Sequence, residues 1–256
     1  MHPDIRPPRA LLFRQHSFRR GAGTSNILAS CAALLAADGK RVGVIDTDFQ
    51  SPSAHILFGL PENKFEKSMN DYLWETSDIH NVVYDVTPEA VPGRIFLAPA
   101  STDMGYIMRI LREGYEVDRL NKGLSEMSKA FELDFLLVDT NAGLNEETLV
   151  ALAVSDILML ILRLDKQDYQ GTAVIASLAQ RLDIPRIEMI VNYLPNSFDI
   201  ENVRKEVEEK YQIPVAAIFP HTEEMLTLAS GGIFAMEYPT HPMTMTMKQL
   251  TGSFLK

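Results

Sequence analysis

Three short stretches of this 256-residue chain carry residue types that could do chemistry together. The first is Arg19-Arg20-Gly21-Ala22-Gly23-Thr24-Ser25-Asn26. Its glycines permit a tight turn, and an apolar run of small residues, Ser25 to Ala37, begins inside it. A turn feeding a helix in this way aims backbone N–H groups and the positive helix end at one spot, which suits a phosphate. A full phosphate loop reads G-x-x-x-x-G-K-[ST]. Gly21, Gly23 and Ser25 fit that kind of loop, but Thr24 stands where the lysine belongs. The second stretch is Asp46-Thr47-Asp48 and the third is Asp139-Thr140-Asn141-Ala142-Gly143. A nucleoside triphosphate needs such a set. Backbone N–H groups cradle its phosphates, a hydroxyl (Ser25) reaches Mg²⁺, and carboxylates (Asp46, Asp48, Asp139) hold the metal's water shell and the attacking water. A single carboxylate at a strand end is usually a helix cap or a solvated turn. Three such signals in this order weaken that reading for the set.

The elements that must position these residues alternate along the chain. Each chemical stretch follows an apolar run: Ala10 to Phe13, Arg41 to Asp46, and Phe135 to Asp139. The first two runs, joined by one helix, form a βαβ unit. Asp46 then falls at a strand's carboxyl end, where open α/β sheets bind ligands. Further strands are expected at Arg94–Ala98, Ile157–Leu162, Arg186–Val191 and Val215–Phe219. Helices are expected between them: Met104 to Ala130, broken near Gly114 with Asp118 capping the second part; one opening at Asn145; Tyr169 to Leu182; and Asp199 to Tyr211. Residues 50–92 read as an excursion from the core, with Ile79 to Val86 a helix end or an edge strand. The fold class is therefore α/β, a doubly wound and mostly parallel sheet, in one domain over 10–256 behind a flexible, proline-rich lead-in at 1–9.

Composition narrows the function classes. The apolar fraction of 46% and charged fraction of 23% are ordinary for a globular protein. A net charge of −10 argues against a DNA-coating surface. The one cysteine, Cys31, lies in the apolar helix after the loop and reads as a core residue. No apolar run approaches the roughly 18 residues of a membrane span, and the start lacks an apolar signal region. A reducing cytoplasm is expected. The six histidines show no metal spacing. There is no serine-hydrolase elbow and no dinucleotide G-x-G-x-x-G fingerprint. The methionine-rich tail, short and weakly basic, is expected to pack or fray rather than bind a membrane.

On these motifs the chain resembles the MinD/ParA family of deviant Walker A ATPases. The family loop, K-G-G-x-G-K-[ST], is matched by Arg19, Arg20, Gly21, Ala22, Gly23, Thr24 and Ser25. The family's D-x-D strand end is matched by Asp46-Thr47-Asp48, and its D-x-x-x-G strand end by Asp139 to Gly143. Its adenine-side strand ends are matched by Val191-Asn192 and Phe219-Pro220-His221. The lead His16-Ser17-Phe18-Arg19 is similar to cargo-positioning, McdA-like members that place carboxysomes. The resemblance implies ATP and Mg²⁺ as ligands, with Asp48 and Arg19 in catalytic positions. Arg20 to Asn26, Asn192, Pro220 and His221 would bind nucleotide, and Ser25, Asp46 and Asp139 the metal. It further implies an ATP-linked homodimer, a stimulating protein partner, and a role in partitioning or positioning cargo. Nucleoid DNA as the working surface is not supported by the charge, and a membrane is disfavoured.

Three departures qualify what the resemblance carries. The crossing lysine is Arg19, the glycine at the motif's second position is Arg20, and the in-loop lysine is Thr24. Losing a charge-assisted contact to phosphate costs on the order of 1.5–3 kcal/mol, so weaker ATP binding and slow hydrolysis are expected. Arg19, Arg20 or Lys166 are the cations that could substitute, Lys166 reading otherwise as a solvated surface residue. Two readings stay open: a nucleotide-dependent dimeric switch, and a pseudo-ATPase scaffold that binds a partner with little or no hydrolysis. A metal-centre maturation ATPase lacks the cysteine pair that role suggests.

Overall fold

The computed structural model describes residues 10–89, 91–144 and 152–255. The expected lead-in at 1–9 and the helix expected to open at Asn145 lie outside the described residues. Eight strands form one sheet: β1 (Leu11–Ser17), β2 (Arg41–Asp46), β3 (Tyr84–Asp85), β4 (Arg94–Ala98), β5 (Phe135–Asp139), β6 (Ile157–Leu162), β7 (Arg186–Leu194) and β8 (Val215–Pro220). Their order is β3-β4-β2-β5-β1-β6-β7-β8, parallel except for β3, which pairs antiparallel with β4 at one edge. This is the doubly wound, mostly parallel architecture that the alternation of elements implies.

Strands β5 and β6 are largely apolar on both sides because both faces of the sheet are covered, while β1 turns polar, though still buried, from Arg14 to Ser17. Phe13, Val42, Val44, Phe135 and Leu137 pack under helix α1 (Thr24–Ala37). Leu12, Ile45, Leu136 and Val138 face a separate core on the other side. Helix α1 is buried along most of its length and is built from small residues, so it can lie close against the strands. Cys31 sits within it, fully buried, with its thiol pushed up to about 12 by burial.

Several local expectations are corrected. The helix after the Gly114 break runs from Val117 to Ala130 with Glu116 at its N-cap, so Asp118 lies in the first turn rather than at the cap. The helix expected from Tyr169 begins at Lys166, because the Asp165 carboxylate accepts from the Gln167 and Asp168 amides, each at 3.0 Å, and starts it a turn earlier. In the excursion, Met69–Leu73 forms a short helix, and the 79–86 stretch supplies the edge strand β3, one of the two forms expected there. The tail packs: helix Pro242–Gly252 lays Met243, Met247 and Leu250 into the core beside α1. No helix among the described residues is long and apolar enough to cross a membrane.

Candidate nucleotide-binding site

The loop between β1 and α1 lies at the carboxyl edge of the sheet. Gly21 and Gly23 have φ of +76° and +87°, in the left-handed region that glycine tolerates best. A side chain at Gly23 would also meet Asn192 Nδ2 at 2.4 Å. Gly23 is the N-cap of α1, with no side-chain cap and no acidic residue in the first turn. The leading amides of Thr24, Ser25 and Asn26 are thus not taken up by a cap, the arrangement a phosphate exploits.

The two carboxylate stretches meet beside it. Asp46 and Asp139 are register partners on β2 and β5, and Gln15 of β1 pairs with Asp139 on the other side. Thr47 binds the pair together, its amide and its hydroxyl both donating to the Asp139 carbonyl. Asp46 is well satisfied: one oxygen accepts from the Asp48 amide, the other from the Ser53 and Ala54 amides. Asp139 Oδ1 is buried and has no partner among the described residues. Burial raises the pKa of Asp46 against the pull of those amides. Burial, then the Asp46 charge, raises Asp139, with the Ser25 hydroxyl partly opposing. Two buried like charges with an orphan oxygen fit a divalent cation, which would relieve both. No cluster of three or more His, Cys, Asp or Glu placed for a metal occurs among the described residues. Ser25 and Asp139 would therefore hold Mg²⁺ with help from water and phosphate, the usual manner for this ion.

The cations are elsewhere. Arg19 faces Asp165 at 3.5 Å and the buried Asp168 at 3.8 Å. Arg163 contacts the same two carboxylates at 3.3 and 3.1 Å. Phe18 is wedged beside this network against Gly171, where a Cβ would come within 2.0 Å of the ring. Arg20 reaches across the carboxylate edge: its guanidinium lies 2.9 Å from Asn141 Oδ1, 3.3 Å from Asp48 Oδ1 and 3.4 Å from Gln50 Oε1. Burial raises the Asp48 carboxyl, and Arg20 opposes that rise. Lys166, next to Asp165 at the start of its helix, is exposed.

On the β7 side, Asn192 Nδ2 donates to the Ala22 carbonyl at 2.7 Å, tying β7 to the loop. Asn192, Tyr193 and Pro220 close around Gly23, Asn26 and Met243, leaving a space of about 10 Å³, barely one water. Tyr193 holds a left-handed φ of +55°. His221 is exposed, its ring 6.4 Å from that of Tyr193. The structure thus brings the loop, Asp46, Asp48 and Asp139 together, and sets Asn192 and Pro220 against the loop. Sequence reasoning did not find the roles of Asn141, Asp165, Asp168 and Tyr193. Asn141 lies inside a quoted motif, but nothing in the sequence announces a left-handed tyrosine.

A family profile described as an AAA domain (AAA_31) matches residues 17–189. An uncharacterized ATP-binding protein of Methanocaldococcus jannaschii is 25% identical over 240 residues, covering 93% of this chain and 85% of that protein. An iron-sulfur cluster carrier protein of Rickettsia bellii is 26% identical over 214 residues, covering 80% of this chain and 59% of the carrier. Among solved structures, the cell division ATPase MinD of Pyrococcus furiosus superposes with a TM-score of 0.80 at 14% identity, over 96% of this chain and 98% of MinD. That likeness shows the fold, while the profile match over most of the chain shows the family. The loop, the paired strand-end carboxylates and these matches agree: the chain belongs to the AAA_31 family of AAA domains and is a MinD/ParA-family P-loop ATPase homologue.

Proposed function

We propose that this chain is a MinD/ParA-type positioning or partitioning protein that binds Mg²⁺–ATP weakly and turns it over slowly. One observation carries the reading. Thr24 replaces the loop lysine, and the two nearby arginines are engaged by Asp165 and Asp168 and by Asp48 and Asn141 rather than facing an open phosphate cradle. The other half of the site is retained. Mg²⁺, when bound, would neutralise phosphate charge beside Ser25 and Asp139, with Asp46 holding the loop 48–54 around them through its amide contacts. Asp48 stands where a residue orienting the attacking water belongs, and Arg20 competes for its carboxylate.

The closed space at Asn192, Tyr193 and Pro220 favours a second reading, a scaffold that keeps the fold and works without nucleotide. An iron-sulfur carrier role finds less support in the residues. The single cysteine is buried in α1 with its thiol pushed up to about 12, so it offers no surface thiolate pair. The carboxysome-positioning branch rests on the His16-Ser17-Phe18-Arg19 lead alone. A calorimetric titration with ATP and Mg²⁺ tests the proposal. Weak, magnesium-dependent binding supports it. No binding at millimolar nucleotide favours the scaffold, and micromolar binding contradicts the impaired site.

A further inference from the structure

Helix Met104–Glu113 is turned inside out with respect to the fold that carries it. A surface helix ordinarily lays its apolar stripe on its own core. Here the stripe at i, i+3, i+4 and i+7 is Met104, Ile107, Met108 and Leu111. Met104 is 69% exposed, Leu111 54% and Met108 39%, with Ile107 partly exposed. The helix is fastened by other residues. Ile110 is buried, and Tyr106 donates to Asp71 and packs on Trp74. Arg109 lies over the Trp74 ring at 4.2 Å and pairs with Glu113 at 2.8 Å. The inward face is therefore held by aromatic and polar contacts, while the apolar face is uncovered among the described residues.

The ends of the stripe carry opposite charge. At the Met104 end, Asp103 caps the helix, accepting from the Gly105 and Tyr106 amides. An acidic groove of about 510 Å³, lined by Glu62, Glu66 and Asp103, opens beside it. At the Leu111 end stands Arg112, exposed and with no ion pair among the described residues. Two copies of this helix packed antiparallel about a two-fold axis, centred between residues 107 and 108, are self-complementary. Leu111 then faces the partner's Met104, Met108 faces the partner's Ile107, and Arg112 faces the partner's Asp103. Met and Arg are the residue types enriched at protein interfaces, and isologous pairing of one patch is the commonest way to close an oligomer.

We propose that the Met104–Leu111 face is the docking site for a second copy of this chain, in an association that needs no nucleotide. The occupant is argued from charge: the helix supplies both the cation and the carboxylate that the pairing requires. The interface is small, of the weak and transient class. The net charge of −10 opposes it at long range, so it is to be measured at about 0.15 M salt, where screening acts within roughly 8 Å.

The test is sedimentation of the full chain without nucleotide and with EDTA, across a concentration series up to several hundred micromolar. A reversible monomer–dimer equilibrium is expected. Leu111→Glu and Arg112→Glu, both at exposed positions, should each raise the dissociation constant at least ten-fold, while Arg112→Lys should not. A second arm uses the fact that Cys31 is buried: Met108→Cys should crosslink with a short bismaleimide, and the exposed control Val174→Cys should not. Three outcomes overturn the proposal: a monomer at every concentration, a dimer that appears only with Mg²⁺–ATP, or a dimer indifferent to Leu111→Glu with no Met108→Cys crosslink. Circular dichroism of each variant separates loss of pairing from loss of fold.

Discussion

Arg20 donates to Asn141 at 2.9 Å and pairs with Asp48 at 3.3 Å, so one side chain of the phosphate loop spans the ends of both carboxylate strands. The family motif has a glycine there. In this chain a cation held in cis already joins the segment after β2 to the segment after β5, a connection that needs no bound nucleotide. The Arg20 side chain is 48% exposed, so the pair stabilises by no more than about 1 kcal/mol. Its consequence is local. Arg20→Gly should leave global stability within that margin and speed amide exchange in residues 48–51 and 139–143. Unchanged exchange in both segments would show that the bridge is not formed in solution.

Tyr193 and Asn192 close against the loop on the side where the proposed function would seat a base. Opening it should be easy, because Tyr193 holds a left-handed φ that costs a non-glycine residue about 1 kcal/mol or more. Tyr193→Gly should relieve that strain and remove a ring from beside Gly23. A fluorescent adenine nucleotide should then bind several-fold tighter, read by anisotropy, with little change in melting temperature. Equal or weaker binding would mean that this space is not where a base enters.

His16 supplies a pH dependence. It is buried on β1, with Nδ1 2.9 Å from the Thr140 hydroxyl and no partner at Nε2 among the described residues. Burial pulls its pKa down from 6.5 to about 4, with the Arg14 charge acting in the same direction. The unfolded chain therefore takes up this proton at higher pH than the native one. Stability from the buried neutral imidazole is fully present above about pH 6.5 and is lost as pH falls toward 4, by roughly 2–3 kcal/mol. Urea unfolding at pH 7 and 4.5 should show that loss in the unaltered chain and a smaller one in His16→Gln. Identical losses would assign the acid limb to other groups.

The methionine-rich tail is core. Met247 is fully buried on the helix that packs beside α1. Met247→Ala should cost about 2–4 kcal/mol by chemical denaturation. A loss below 0.5 kcal/mol, the scale of a surface change, would leave the tail available for another use.

What was legible in the sequence follows from what local pattern can encode. Strands buried on both faces read as apolar runs, so β2, β5, β6 and the first half of β1 could be placed, and with them the edge where Asp46 and Asp139 meet; the buried polar half of β1, Arg14 to Ser17, carries no such signal. The glycines of the loop announce their own backbone. The contacts that alter the site are long-range: Arg19 meets Asp165 across 146 positions, and Arg20 meets Asn141 across 121. Which carboxylate takes which arginine depends on sheet order and side-chain reach, and neither is written in spacing. Helix Met104–Glu113 has a clear apolar stripe in sequence, yet pattern alone does not say that the stripe faces outward. Asp118 looked like a cap because it is a good capping residue, but the chain had already turned helical at Val117.

On the proposed function, the missing lysine, in a site otherwise keeping its metal side, is what limits nucleotide chemistry. Phosphate release with saturating Mg²⁺–ATP, comparing the unaltered chain with Thr24→Lys, tests it most directly. Restoring one charge-assisted phosphate contact should be worth about 1.5–3 kcal/mol, a gain of roughly ten-fold or more in the Thr24→Lys variant over a very slow parent. Rapid phosphate release by the unaltered chain, with no gain from Thr24→Lys, would contradict it.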